Sequence, residues 1–293
     1  SFQQWAMRLQ TAAQSSAWQS ALDYWQLIQP SSPLPHDFPQ GSNTVADLEI
    51  TSVALNTTET EALLQTVPTA YQTQINDALL TALLLAFADW TGDRTLLLEL
   101  EGHGREADLS ELGPQGTLDL SRTIGWFTTL FPVWLNLESN QIGAALKGIK
   151  EQLRAIPQRG LSYGVLRYLA NAPLPHLQAQ VRFNYLGQID HALHPPFAIA
   201  PETIGPTRSS SGQRHVLLEI NALIVSGELR VHWGYSRAIH HPTTIATLAE
   251  GFIGYLRNLI QHCQSPDAGG YTPSDFPLMD ISQTELDNLL TEL

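Results

Sequence analysis

Near the start of the chain, apolar residues recur at helical spacing: Phe2, Trp5, Ala6 and Leu9, then Trp18, Ala21, Leu22 and Trp25. That spacing gathers one stripe on a 3.6-residue period, so helices are predicted over 2–13 and 17–28. "QPSSPLPHDFPQGSN" (29–43) breaks the pattern with four prolines and a glycine and reads as an extended connector. Residues 46–55 ("ADLEITSVAL") predict a strand. Thr58 with Glu61 three residues on has the form of a capping box, and a short helix up to Val67 is expected. Ile75, Leu79, Leu83, Phe87 and Trp90 mark a strongly buried helix closed by Gly92.

Residues 94–101 predict a strand. "RTIGWFTTLFPVWLNL" (122–137) reads as a long extended segment, with Pro132 pointing to an edge or a bulge. An amphipathic helix is expected over 140–155, ending before Pro157, then a short helix at "SYGVLRYL" and a strand at 179–187. "RHVLLEINALIV-SG-ELRVHWGYS" predicts a hairpin turning at Ser226-Gly227. Leu248, Phe252, Tyr255, Leu259 and Cys263 stripe a last long helix. The tail "SPDAGGYTPSDFPLMD" is linker-like, and 282–293 predicts a short acidic helix. No repeat is visible, and the order of elements is mixed α and β (α+β or α/β) around a largely open sheet.

Composition narrows the function classes. Fifteen basic against 28 acidic residues give −13, which argues against a nucleic-acid surface. The longest apolar run, Ala78–Ala88, is interrupted by Thr81 and is too short to span a bilayer, so no membrane partner is expected. No signal-like opening is present, and the single Cys263 excludes an internal disulfide and a Cys-rich zinc site; a reducing cytoplasm is the expected location. Cys263 itself reads as core. Ser1-Phe2-Gln3-Gln4-Trp5 enters a helical pattern directly without an initiator Met, so a piece of a longer chain is expected.

The candidate chemistry lies in "LLLELEGHGREADLS" (96–110). On a strand, Leu96, Leu98 and Leu100 share one face, and Leu97, Glu99 and Glu101 the other. Glu101 therefore stands where the strand runs out. Gly102 and Gly104 permit close approach of a substrate and backbone conformations closed to other residues. His103, Arg105 and Glu106 add a proton carrier and a charge pair, and a carboxylate held in a partly dry channel suits proton transfer. By local pattern alone, a solvated strand-to-loop turn with an Arg–Glu surface pair is the commoner outcome. The stretch lacks the frame of a phosphate loop, and with no third ligand in view no metal is expected.

Glu101-Gly102-His103-Gly104-Arg105-Glu106 resembles the "EGHGRE" signature of epimerization domains of nonribosomal peptide synthetases. Further stretches follow in that family's order: "INDALLTAL" (75–83), "RTIGWFTTLFPV" (122–133, similar to Arg-Thr-Val-Gly-Trp-Phe-Thr), "RGLSYGVLRYL" (159–169, similar to Gly-x-Gly-Tyr-Gly), "FNYLGQ" (183–188) and the tail "YTPSDFPL". The likeness runs essentially end to end. Condensation domains share the fold but differ at the Glu101 position, which favours epimerization over amide formation. Two features depart from the family. Its His-His-x-x-x-Asp-Gly motif, which lies upstream of the "SFQQWA" region in intact members, is absent; His240-His241 is followed by Pro-Thr-Thr and reads as a loop and cap feature. Ser162 replaces the middle glycine of the Gly-x-Gly-Tyr-Gly segment.

The resemblance implies a chloramphenicol-acetyltransferase-like fold of two lobes around a tunnel. Residues 1–35 would end the N-terminal lobe, 36–45 connect, 46–268 form the C-terminal lobe and 269–293 lead to a following module. It implies inversion of the α-carbon of an aminoacyl or peptidyl thioester on a peptidyl carrier protein. Its partners would be that carrier, the missing N-terminal lobe and adjacent synthetase modules. No cofactor of its own is expected, the phosphopantetheine arm being the carrier's. Glu101 would serve one face of the planar enolate and the absent histidine the other, with Arg105 orienting Glu101. Tyr185 and Asn184 are candidate donors to the enolate oxygen. They are consecutive, so on a regular strand only one faces the tunnel unless a bulge or Gly187 turns the chain; Tyr185 is favoured, though its spacing from Val181 and Phe183 also suits a core aromatic. His103, Trp126, Phe127, Ser162, Tyr163 and Gly164 are candidate substrate-side residues, Trp126 and Phe127 fitting core equally well. Arg122 is a candidate for binding a carboxylate or a carrier phosphate. A non-catalytic carrier-docking remnant and an amide-forming condensation domain are the alternatives.

Overall fold

The computed structural model describes residues 1–106, 118–189, 202, 205, 207–266, 268–279 and 281–291. The end of the acidic-glycine stretch, 107–110, lies outside them. In chain order the elements are α1 (Phe2–Ala12), α2 (Ser16–Gln19), α3 (Leu22–Gln26), β1 (Leu48–Leu55), α4 (Thr57–Tyr71), α5 (Ile75–Thr91), β2 (Thr95–Gly102), β3 (Thr129–Asn136), α6 (Ile142–Arg154), α7 (Leu161–Tyr168), β4 (Val181–Gln188), β5 (Leu218–Val225), β6 (Glu228–Ser236), α8 (Pro242–Cys263) and α9 (Gln283–Thr291). The fold is mixed α and β, as the residue pattern predicts. Contacts divide it into two compact units: Ser1–Ser31 with Leu97–Trp134 and Arg154–Ala179, and Ser32–Leu96 with Leu135–Leu153 and Gln180–Leu293.

In the larger unit the strands run in the order β1-β6-β5-β4. β1 and β5 are antiparallel to β6, and β4 is parallel to β5. Strand alternation puts Leu218, Ile220, Ala222 and Ile224 of β5 and Leu229, Val231, Trp233 and Tyr235 of β6 in the core. Trp233 packs against Phe87 of α5 and Phe252 of α8. α5 is buried almost all round, from Asp77 to Phe87, which is why its sequence is nearly continuous in apolar residues. The hairpin turns at Ser226 (φ 54°) and Gly227 (φ 76°), the pair of positive values a tight two-residue turn requires.

Several local expectations shift. The capping box of α4 uses Asn56 and Glu59, with reciprocal bonds of 2.9 Å, in place of Thr58 and Glu61. Asn outranks Thr as an N-cap, and the cap falls two residues earlier as a result. α4 also continues beyond Val67, through Pro68, to Tyr71. The region 17–28 divides into α2 and α3, with Trp18 and Trp25 both fully buried. Only 129–136 of the long segment 122–137 is strand, because 122–126 lacks alternation and is largely exposed. β3 has β2 as its one strand neighbour among the described residues, an edge position that tolerates Pro132. Tyr255 leaves the α8 stripe partly exposed, its hydroxyl donating to Asp89 at 2.5 Å. Cys263 is buried, as read from the stripe, and burial pushes its thiol up to about 11.

His241 is the N-cap of α8, and its backbone N–H donates to Asp37 of the connector at 2.7 Å. His240 beside it is buried, with neither ring nitrogen hydrogen-bonded, and burial drives its pKa down to about 4. The ammonium of Lys150 is also buried; it donates to both carboxylate oxygens of Asp275 (2.6 and 2.7 Å) and to the Tyr71 carbonyl, fixing the "TPSD" tail onto α6.

The smaller unit has its own core, built from Trp5, Ala12, Ala13, Trp18, Leu120, Phe127, Leu161 and Val165. It holds the loop that carries the candidate chemistry.

Candidate functional site

β2 carries Glu101 as its next-to-last residue. Leu96, Leu98 and Leu100 are buried, while Glu99 and Glu101 on the other face are partly exposed; Leu97 on that face is buried too. The chain after Glu101 is then locked in place. Gly104 has φ +65°, and a Cβ there would lie 1.6 Å from the Phe127 carbonyl oxygen. Only glycine allows that backbone and that approach together. The Arg105 guanidinium lies 4.1 Å over the Phe127 ring and donates to the Leu120 carbonyl. Arg105 is therefore engaged with the "GWF" segment.

His103 is well exposed, yet its ring is defined. Its Nδ1 accepts from the Arg105 backbone N–H at 3.0 Å, so Nε2 carries the proton in the neutral ring. Nε2 sits 3.2 Å from Glu106 Oε1. Glu106 is 4% exposed, and its other oxygen accepts from Arg159 Nη1 at 2.6 Å. Arg159 immediately precedes Gly160, whose φ is +86° and whose missing Cβ would fall 2.2 Å from the Phe131 ring.

Beside this loop is a cavity of about 540 Å³. Phe2, Trp5 and Leu9 of α1 form one wall, Trp126, Phe127 and Phe131 a second, and Tyr163, Gly164 and Arg167 of α7 a third, with Glu99 at the β2 side. Neighbours in sequence play opposite parts: Phe127 is 6% exposed and packs edge-on against Phe2, whereas Trp126 is 92% exposed on the rim. The Tyr163 hydroxyl accepts from Arg167 Nη1 at 3.1 Å. Burial is the main cause holding the Tyr163 pKa above its ordinary value, so the phenol keeps its proton at neutral pH and can donate. Gly164 opens toward free space, with no atom within 4 Å of where a Cβ would be.

Of the residues singled out from the sequence, Trp126, Phe127, Tyr163 and Gly164 line the cavity; Glu101, His103 and Arg105 belong to the same unit but not to the cavity lining. Ser162 is fully buried and off the cavity wall: its Oγ accepts from the Trp25 indole at 3.0 Å and donates to the Pro157 carbonyl at 3.2 Å. Arg122 is exposed. Asn184 and Tyr185 belong to the larger unit, on β4. There the pairing with β5 slips after Tyr185, and Gly187 takes φ +80°. The regular alternation therefore ends at this point. Val181 and Phe183 are core, while Tyr185 is half-buried, and burial raises its pKa. Sequence reasoning missed the aromatic wall from Phe2 and Trp5, Arg167, and the Arg159 partner of Glu106. Arg159 does stand in the quoted "RGLSYG" stretch, but nothing local ties it to Glu106, 53 residues earlier. Among the described residues no three His, Cys, Asp or Glu side chains are placed to hold a metal ion, and no helix is long and apolar enough to cross a membrane.

The family model described as "Condensation domain" matches residues 1–278. Chondramide synthase cmdD of Chondromyces crocatus is 45% identical over the whole chain, which covers 8% of that protein. Tyrocidine synthase 2 of Brevibacillus parabrevis is 38% identical over 99% of the chain, again only 8% of its length. The chain thus spans less than a tenth of these relatives. Among solved structures, the epimerization domain from the third module of tyrocidine synthetase B superposes with a TM-score of 0.81 at 38% identity, covering 90% of this chain and 60% of that one. The condensation domain of the Monacolin K polyketide synthase MokA gives a TM-score of 0.60 at 17% identity, covering 90% and 61%. That second likeness speaks to fold alone.

Proposed function

The chain belongs to the condensation-domain family, with the chloramphenicol-acetyltransferase-like fold of its solved relatives, and from that premise we propose that it is the larger part of an epimerization domain of a nonribosomal peptide synthetase. One observation carries the reading: the Glu101 stretch, locked onto the "GWF" segment beside an aromatic cavity, occurs in a chain 38% identical to a solved epimerization domain. The substrate is an aminoacyl or peptidyl group held as a thioester on the phosphopantetheine arm of a carrier protein. The arm belongs to the carrier, and the domain brings no cofactor of its own.

Glu101 removes the α-proton. The Cα–H bond breaks, an O–H bond forms on the carboxylate, and the electron pair passes to the thioester carbonyl oxygen. A protonated phenol is a suitable donor to that oxygen, and Tyr185 is the favoured one, with Asn184 bracing the segment. A proton returned to the opposite face gives the D form. That second group is the histidine of the family's N-terminal half. Trp126, Phe127, Tyr163 and Gly164 form the wall against the arm or the side chain. Arg105 fixes the loop through Phe127.

The test uses the domain completed with its N-terminal half and a carrier loaded with an L-aminoacyl group deuterated at Cα. Label should be lost, and Glu101→Gln should abolish that loss while carrier binding stays within about twofold, because the swap keeps shape and removes the proton acceptor. Binding without label loss in the unsubstituted domain would favour a docking remnant. An amide product with a second loaded carrier would favour the condensation reading that the family match also allows.

A further inference from the structure

Resting on the epimerase reading, we propose that Glu106 and Arg159 are positioning residues: a clamp that sets where the Glu101 carboxylate stands. Neither is assigned contact with the reacting atoms. Glu106 is a carboxylate taken out of water, and such a group is tolerated only when its charge is met by close donors. It has two. Arg159 Nη1 donates at 2.6 Å, the short distance of a charge-assisted bond, and His103 Nε2 lies at 3.2 Å on the other oxygen. Glu106 cannot swing without losing both, and it is only five residues from Glu101.

The other half of the clamp is constrained through its backbone, the Arg159 side chain itself being 61% exposed. Gln158 (φ 44°), Arg159 (φ 51°) and Gly160 (φ 86°) are three consecutive left-handed residues, and two of them carry side chains. Backbone of this kind persists only where its surroundings hold it. The Phe131 ring sits against Gly160, so closely that a Cβ there would overlap it, and a Cβ on Gly102 would meet Phe131 at 3.6 Å and the Arg159 carbonyl at 3.9 Å. Arg159 thus holds the far end of the loop through Glu106, while at the near end Gly102 is closed in by Thr129, whose Oγ1 would lie 2.7 Å from a Cβ there. The segment from Gly102 to Glu106 is confined at each end, and Glu101 is the residue that enters it.

Two measurements test this. In the completed domain, Arg159→Gln should lower kcat for α-deuterium loss by about tenfold or more with KM for the loaded carrier within about twofold, the split expected of a residue acting on the transition state alone. Arg159→Lys, which keeps the charge without the fork, should recover to within about threefold of the unsubstituted rate. Glu106→Gln combined with Arg159→Gln should be no slower than the worse single variant, because the two act as one unit. A purely structural pair would lower the melting temperature and leave kcat intact, and that result overturns the proposal. The second measurement needs no chemistry. Amide hydrogen exchange on this chain should show the Arg105 N–H, held by His103 Nδ1, exchanging about tenfold faster in Arg159→Gln, with core amides such as that of Leu98 unchanged. Unaltered protection at Arg105 overturns the clamp. If the unsubstituted completed domain loses no label, the epimerase reading falls and the amide result alone decides the clamp.

Discussion

Two glycines in the family-like stretches should respond to the same substitution with opposite signs. Gly104→Ala places a methyl group 1.6 Å from the Phe127 carbonyl oxygen and 2.6 Å from its carbonyl carbon, on a backbone at φ +65°. The left-handed backbone alone costs an alanine about 1–2 kcal/mol. The overlap is with main chain, which cannot rotate away, so the true loss exceeds that figure. Relief requires the loop to lift off Phe127, carrying Arg105 from its seat over the ring. Gly164 lies inside α7, with nothing within 4 Å of the new Cβ. Alanine there favours the helix by about 1 kcal/mol. The two variants should differ by at least about 2 kcal/mol in unfolding free energy, one below the parent and one above it. Urea unfolding followed by circular dichroism reads this directly. In the completed domain, Gly104→Ala should also lose most α-deuterium exchange. A Gly104→Ala protein within about 0.5 kcal/mol of the parent, the range of an ordinary surface substitution, would refute the close packing of the loop on the "GWF" segment.

Ser162→Ala leaves the buried Trp25 indole N–H without an acceptor and should cost about 1–3 kcal/mol by chemical denaturation. His240 is faced by Asp37, His36 and Arg214, and burial is the largest influence on it. Its folded-state pKa of about 4 lies below the ordinary imidazole value of about 6.5, so the unfolded chain binds more protons between the two. Stability should hold at neutral pH, fall as the pH drops from about 6.5 through about 4, and level off below; His240→Phe should remove that part of the acid loss, as seen in melting temperature against pH. Lys150→Met strips the buried partner from Asp275 and should cost about 3–5 kcal/mol, with faster proteolysis between Tyr271 and Met279 than in the parent.

The elements legible in the sequence are those whose reasons are local. Helix α5 and the β5–β6 hairpin follow from a long apolar run and a two-residue turn signal, each contained within one stretch. The Glu101 loop is legible as chemistry because two glycines are set within the polar run from Glu101 to Glu106. What stays hidden depends on contacts across distance. The cap of α4 falls at Asn56 because competing caps differ by tenths of a kcal/mol. Phe127 and Trp126 look alike in sequence, and only the packing of Phe2 and Trp5 decides which one goes inside. The role of Ser162 requires knowing that an indole from residue 25 arrives beside it. Alternation alone makes Tyr185 a third core residue after Val181 and Phe183, yet it stands half-buried where the regular strand pairing ends.

The exposed indole at the rim gives the molecule an optical handle. Of seven tryptophans, four are buried, Trp90 and Trp134 are partly shielded, and Trp126 alone is almost fully in water. Iodide in solution will therefore quench chiefly one emitter, and that emitter borders the cavity. A thioester-borne side chain settling there would shield it from the ion, so occupancy can be followed by intrinsic fluorescence in the unlabelled protein.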